Sequence, residues 1–307
     1  MHALIGIAVV FAAVIGGFLL ESGNLYVLLQ PAELLIVGGA AAGIVMVANP
    51  PSTILGMWRG VLAAFRPPPH NPKTFLRYMR MLYEVFAYIQ RVGILEIEND
   101  VEDPAKSRLF ANHPDFLKDK TTRAFVCDSL RMLVVGVTTA SELDQLMELD
   151  IEAQRRGRQE PVTALHAVAD ALPGLGIVAA VLGVVITMQA IGGPPEAVGQ
   201  KVAAALVGTF LGILLCYGVV GPVATRLQSL GETEGQLLHV LRIAIVAFAR
   251  GASPILAVEY ARRSVAVELR PSFQDMEISI KREAKIPPVR HPNIPEAVVA
   301  DAQAQSA

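Results

Sequence analysis

Charged side chains are missing from four long stretches of this chain, and that absence limits what it can fold into. Residues 2–20, 34–58, 171–195 and 202–225 contain no Asp, Glu, Lys or Arg. Each stretch can hold a transmembrane helix, which needs ~17–25 mostly apolar residues to cross about 30 Å of hydrocarbon. The 307 residues are 53% hydrophobic and 18% charged, with a mean hydropathy of +0.47. Soluble domains carry about 25% charged residues, so this balance argues against a soluble enzyme and against a disordered chain. A net charge of −2 leaves no electrostatic footprint for nucleic acid. Two cysteines, Cys127 and Cys216, make neither a disulfide framework nor a cysteine zinc site, and the six histidines lack metal-ligand spacing.

The spacing predicts an all-α membrane protein with four transmembrane helices in two hairpins and a large helical cytoplasmic domain. The first hairpin occupies 1–58, with spans about 3–20 and 34–51 joined by Glu21–Ala32. The second occupies 166–225, with spans about 171–191 and 202–222. Its connection, Gly192–Lys201, opens on Gly-Gly-Pro-Pro, where proline removes an N–H and ends a helix. A cleaved leader is the alternative for the first stretch, but it lacks a positive n-region and a second span follows closely. No Lys or Arg precedes Arg59, whereas Arg59, Arg66, Arg155, Arg156, Arg158 and Arg226 flank the other spans. The positive-inside rule then puts both termini and the large loop in the cytoplasm of a multi-pass protein. Leu237–Val258 is also apolar, but Arg242 and Arg250 interrupt it. Arginine at a helix centre costs about 2.5–3.5 kcal/mol on insertion scales, so this segment reads as a cytoplasmic helix.

Between the hairpins, 59–165 reads as a helical cytoplasmic domain. Leu76, Met79, Tyr83, Phe86 and Ile89 recur at helical spacing, with Arg77, Arg80 and Glu84 between them. Val126, Leu130, Leu133 and Val137 do the same. Pro67-Pro68-Pro69 is a rigid break. The acidic run Glu142, Asp144, Glu148, Asp150 and Glu152, followed by Arg155, Arg156 and Arg158, reads as a solvated face with paired charges. Cytoplasmic helices are expected over 226–286 and a flexible tail over 287–307. No phosphate-binding loop, nucleophile elbow or paired-carboxylate site is present, so the chain does not read as an enzyme.

The second hairpin carries the chemistry. Gly174, Gly176, Ala179, Ala180 and Gly183 on one span, with Gly208 and Gly212 on the other, permit close helix approach. That approach serves either packing within the chain or a partner helix and pore. Pro173 and Pro222 sit inside the spans near their cytoplasmic ends. They free the carbonyls of Ala169 and Gly218, which suits a hinge or an ordinary kink. Asp170 and Glu33 lie near opposite edges, and no carboxylate is expected at the midplane. If the chain conducts an ion, the carrier carboxylate must then come from another protein.

These residues resemble the flagellar-motor stator A subunit, the MotA family, over most of the chain. The likeness rests on Asp170–Gly183, Val207–Leu215 with Pro222, the Gly93…Glu98 segment with Val101-Glu102-Asp103-Pro104, and Arg270-Pro271-Ser272-Phe273. The resemblance implies a homopentamer in the bacterial inner membrane, around two copies of a B-type stator subunit. That partner has one transmembrane helix bearing an aspartate. Ion flow past it turns the A ring, which pushes on the rotor protein of the flagellar switch. By the same resemblance, Pro173 and Pro222 match the channel and hinge prolines, and Asp170 an acid at the channel's inner end. Glu98 matches a rotor-facing acid, and Asp150 and Arg131 match further charged positions. The rotor-facing arginine falls on Gln90, with Arg91 beside it and turned by about 100° on a helix.

Sodium wants several oxygen ligands. Sodium-driven relatives place threonines on the third and fourth spans, where this chain has Ala180 and Thr209. Thr209 alone remains, and its hydroxyl can bond a carbonyl one turn earlier. The translocated ion is therefore expected to be H⁺, with no cofactor or metal. An ExbB/TolQ-type energy transducer typically has three spans, so the first hairpin separates it from this reading. A non-conducting membrane scaffold is the remaining alternative.

Overall fold

The structure is a computed structural model and describes residues 2–66, 71–136, 138–189, 192 and 194–287. The expected break at 67–69, Val137 and all but the first residue of the expected tail lie outside the described residues. Every regular element among those described is helical. In chain order they are α1 (His2–Leu20), α2 (Leu25–Leu28), α3 (Pro31–Ala48), α4 (Pro51–Ala64) and α5 (Pro72–Val92). Then come α6 (Glu98–Glu102), α7 (Pro114–Lys118), α8 (Lys120–Val135) and α9 (Ala140–Met188). The last are α10 (Pro195–Leu215), α11 (Gly221–Ala249), α12 (Pro254–Ser264) and α13 (Phe273–Ile278). Among the described residues, four helical stretches are long and apolar enough to cross a membrane: Ala3–Leu20, Leu25–Ala48, and parts of Ala140–Met188 and Pro195–Ala249. The chain divides into two compact units, one from residues 1–69 and 152–235, the other from 70–151 and 236–307.

In the first unit, α3 buries Glu33, Val37, Ala41 and Val45, four residues apart and therefore on one face. α10 buries Ala205, Gly208 and Gly212, and α9 buries Ala169, Leu172, Gly176 and Ala179. Val37 and Ala41 of α3 share an apolar cluster with Ala169, Leu172 and Ala179 of α9 and with Cys216 just past α10, and α3 also packs against α10. α3 and α10 start upstream of residues 34 and 202, at Pro31 and Pro195. Both prolines occupy the first helical turn, where the missing N–H costs nothing and φ is already helical. α3 stops at Ala48 because Asn49 and Pro50 are extended, and α4 restarts from Pro51.

The second unit is built around α5, which is buried on nearly all sides. Phe75, Met79, Leu82, Val85 and Phe86 are fully enclosed, while Leu76 and Tyr83 are only half-buried. Glu84, which lies between those positions in the sequence, is buried as well. Its Oε2 lies 2.9 Å from Nε2 of His113, also buried. A buried carboxylate needs such a partner, and this one comes from a turn 29 residues away. α11 ends at Ala249, Gly251 turns with φ +91°, and α12 packs back onto α5. The acidic run pairs beyond its own helix. Arg242 bonds Asp144 at 2.6–2.7 Å and also Glu148, and Arg250 reaches Asp144 at 3.1 Å. In α12, Arg262 and then Arg263 hold the Glu259 carboxyl down to about 2.

Asp119 starts α8. Its Oδ1 accepts the Thr122 N–H at 3.1 Å, and its Oδ2 accepts the Thr122 hydroxyl at 2.6 Å and the Tyr78 hydroxyl at 3.2 Å. Burial, with this carboxylate beside it, pushes the Tyr78 phenol above its usual value. Removing an N-cap costs ~0.5–2 kcal/mol. We therefore predict that Asp119→Ala lowers the thermal transition of the detergent-solubilised chain by a few degrees. An unchanged transition would mean that neither contact matters to the fold.

Candidate functional site

The first unit brings α9 and α10 into backbone contact. A methyl group added at Gly176 would sit 2.7 Å from the carbonyl oxygen of Gly208. One at Gly212 would sit 2.5 Å from the carbonyl oxygen of Leu172 and 2.9 Å from Cα of Gly176. One at Gly183 would meet Cβ of Ala205 at 2.6 Å. Real side chains do not approach backbone so closely, so these glycines set the helix separation. Gly174, counted with them in the sequence, has open space around it and takes no part in this contact.

Pro173 is half-buried within α9, which runs through both it and Pro161 as one helix. Its neighbour Leu172 presents the carbonyl that faces Gly212. Pro222 is exposed in the first turn of α11. Just before it, Cys216–Val220 forms a π-helical turn in which Gly221 N–H donates to the Cys216 carbonyl, five residues back. The helix thus answers the missing proline N–H with a wider turn, a device common at functional helices. Asp170 is exposed, one residue from buried Ala169.

Ala180 is half-buried, and its N lies 3.2 Å from where a Gly208 side chain would start. Thr209 donates its hydroxyl to the Gly176 carbonyl on α9 at 3.5 Å. Among the described residues its hydroxyl thus reaches across to α9 rather than to a carbonyl one turn earlier on its own helix. The reason is the glycine contact, which brings the α9 backbone within reach. Sequence reasoning missed a third participant. Glu33 lies at this same contact, because a methyl group on Gly208 would be 2.5 Å from its Oε2. Its place inside α3, after the helix-starting Pro31, was the available signal.

The second unit holds the charged candidates. Gln90 and Arg91 are exposed in the last turn of α5, which Gly93 ends with φ +94°. A short 3₁₀ turn, Ile94–Ile97, leads to exposed Glu98 at the start of α6. Arg131 on α8 bonds Glu102 at 2.9 Å and Asp128 at 2.5 Å, so its guanidinium is engaged within the unit. Asp150 is exposed on α9.

Comparison with known proteins gives consistent relatives. Residues 4–93 match the family described as Motility protein A N-terminal. Residues 117–239 match the MotA/TolQ/ExbB proton channel family. Motility protein A of Salmonella typhimurium is 34% identical over 95% of this chain and 97% of its own length. Motility protein A of Escherichia coli is 34% identical over 92% and 95%. In fold, the chain is similar to the flagellar MotAB stator complex from Bacillus subtilis. The TM-score is 0.72 at 24% identity, over 88% of this chain and 98% of that one. For MotAB of C. jejuni the TM-score is 0.73 at 19% identity, over 89% and 98%.

Proposed function

The chain belongs to the motility protein A family, and from that premise we propose that it is the ion-conducting A subunit of a bacterial flagellar-motor stator. The observation that carries the conducting role is the match of 117–239, which includes the α9–α10 contact, to a proton channel family. The absence of charge from 171–195 and 202–225 agrees with a division of labour. The solved structures of similar fold are MotAB complexes, and in this reading the B-type partner supplies the carrier aspartate on its single span. Five copies of this chain surround two copies of that partner. The basic residues flanking the helices put both termini in the cytoplasm of the inner membrane.

Pro173, Pro222 and the π turn form the hinge, with Asp170 at the inner end of the path. Arg91, Glu98, Asp150 and Arg131 form the charged face that meets the rotor. Arg131 acts there by holding Glu102 and Asp128 in place, since both bonds engage its guanidinium. The ion is a proton. Ala180 offers no side-chain oxygen, which leaves Thr209 as one threonine where sodium wants several oxygen ligands. A proton needs only the partner's carboxylate and water. The first hairpin, covered by the N-terminal family match, favours a stator over a three-span energy transducer.

Swimming speed tests this reading in cells whose only A subunit is this chain, supplied with its cognate B subunit. Speed is expected to be indifferent to sodium at fixed proton-motive force and to vanish with a protonophore. Speed that rises with sodium and survives the protonophore would overturn the ion assignment. Membrane insertion without motility would overturn the stator reading.

A further inference from the structure

Glu33 is 7% exposed, and its Oε2 is buried with no hydrogen-bond partner among the described residues. Its carboxyl fits where α9 and α10 have no side chains. A methyl group on Gly208 would be 2.5 Å from Oε2, and one on Gly183 would be 3.4 Å from Oε1. The same Gly208 position is 2.9 Å from Cβ of Ala179 and 3.2 Å from N of Ala180. The carboxyl therefore sits beside the stretch that the proposed ion path follows. Along α9, Gly183 is about 20 Å from Asp170 at 1.5 Å per residue. With Asp170 at the inner edge of ~30 Å of hydrocarbon, Glu33 acts in the outer third.

A carboxyl group in this setting calls for a function. Burying an unpaired charge is costly, so such groups pair or change protonation state. Ionisable side chains inside membranes mark proton and ion pathways. A carboxyl kept for packing would show a donor holding it, as His113 holds Glu84, and among the described residues Oε2 has none.

We propose that Glu33 is an outer-side proton relay of this subunit. Hydronium arriving from the outer face gives its proton to Oε2, forming an O–H bond and leaving water. That bond then breaks toward a water on the inner side, which becomes hydronium and carries the proton on toward the partner's aspartate. Glu33 returns to carboxylate, ready for the next proton. This rests on the reading of the chain as a proton-conducting A subunit. It adds to that reading a titratable group of the A subunit itself.

Two variants test it, each supplied with the cognate B subunit as the only stator. Glu33→Gln keeps the shape and loses the exchangeable carboxyl proton. Glu33→Asp keeps the proton and loses a methylene. Motor rotation at low load is measured together with the amount of A–B complex purified from the membranes. With complex amounts unchanged, Glu33→Gln is expected to rotate at least tenfold slower than wild type. Glu33→Asp is expected to fall between the two. A packing role ranks the variants the other way, with Gln above Asp, and that order would overturn the relay. So would a Glu33→Gln motor at wild-type speed, or loss of the complex in both variants. A wild-type complex that assembles and never rotates would instead overturn the parent reading, and this one with it.

Discussion

Replacing Gly212 with alanine is expected to force α9 and α10 apart and abolish swimming. The new Cβ would lie 2.5 Å from the Leu172 carbonyl oxygen and 2.9 Å from Cα of Gly176. Both obstacles are backbone, so no side chain can rotate away. Overpacking in a core that can adjust costs about 1–3 kcal/mol. Here a helix must move as a body, and the contacts at Gly176, Gly183 and Gly208 are lost with it. The Thr209 hydroxyl, already at 3.5 Å from its acceptor, would also lose its bond. Gly199→Ala on the same helix is the control, since among the described residues nothing lies within 4 Å of that position. Soft-agar spreading and the amount of protein in the membrane report the outcome. A Gly212→Ala strain that spreads like wild type would show that the helix contact is looser than described.

The second large effect is expected from Phe86→Ala in the unit built on α5. Phe86 is fully buried and stacks on Phe248 of α11, with ring centroids 4.3 Å apart and planes 5° from parallel. Truncating a buried phenylalanine costs ~3–5 kcal/mol, because the cavity adds to the lost transfer energy. Folded domains hold only about 5–15 kcal/mol in total. The thermal transition of this unit, followed in the detergent-solubilised full chain, should fall by roughly 10 °C. Phe86→Leu, which refills most of the volume, should fall much less. Equal transitions for wild type and Phe86→Ala would mean that the α5–α11 stack contributes nothing to this unit.

The two kinds of feature differ in how far they could be read from residues alone. The four apolar helices were legible because lipid tolerates no scattered charge, and a run without charge is visible in one dimension. The close approach of α9 and α10 was legible from their glycines, though open space at Gly174 separates composition from contact. The Arg270–Phe273 motif was legible as a pattern. Its physics is a capping box in which Ser272 and Asp275 each bond the other's backbone, while Arg262 donates to the Pro271 carbonyl at 3.0 Å.

Partnerships across long sequence gaps were not legible. Nothing near Glu84 in the sequence announces its burial, which rests on His113, 29 residues on. Asp144 and Glu148 looked paired with the arginines that follow them. They bond Arg242 and Arg250 instead, about a hundred residues on. The charge-free stretch puts Glu33 at the edge of the connection Glu21–Ala32, which includes Pro31. Proline starts that helix instead, so its first turn joins the packed interior.

The π turn at Cys216–Val220 has a consequence for how this part of the chain tolerates length changes. A π turn fits one more residue into a single turn than an α turn does. By hydrogen bonding, α10 and α11 are nearly one rod; by angular phase they are two. One residue corresponds to about 100° around the axis. The faces of α10 and α11 are therefore dialled independently, with the turn as the offset between them. Removing a single residue there would keep a continuous helix and yet rotate everything beyond it onto the wrong side.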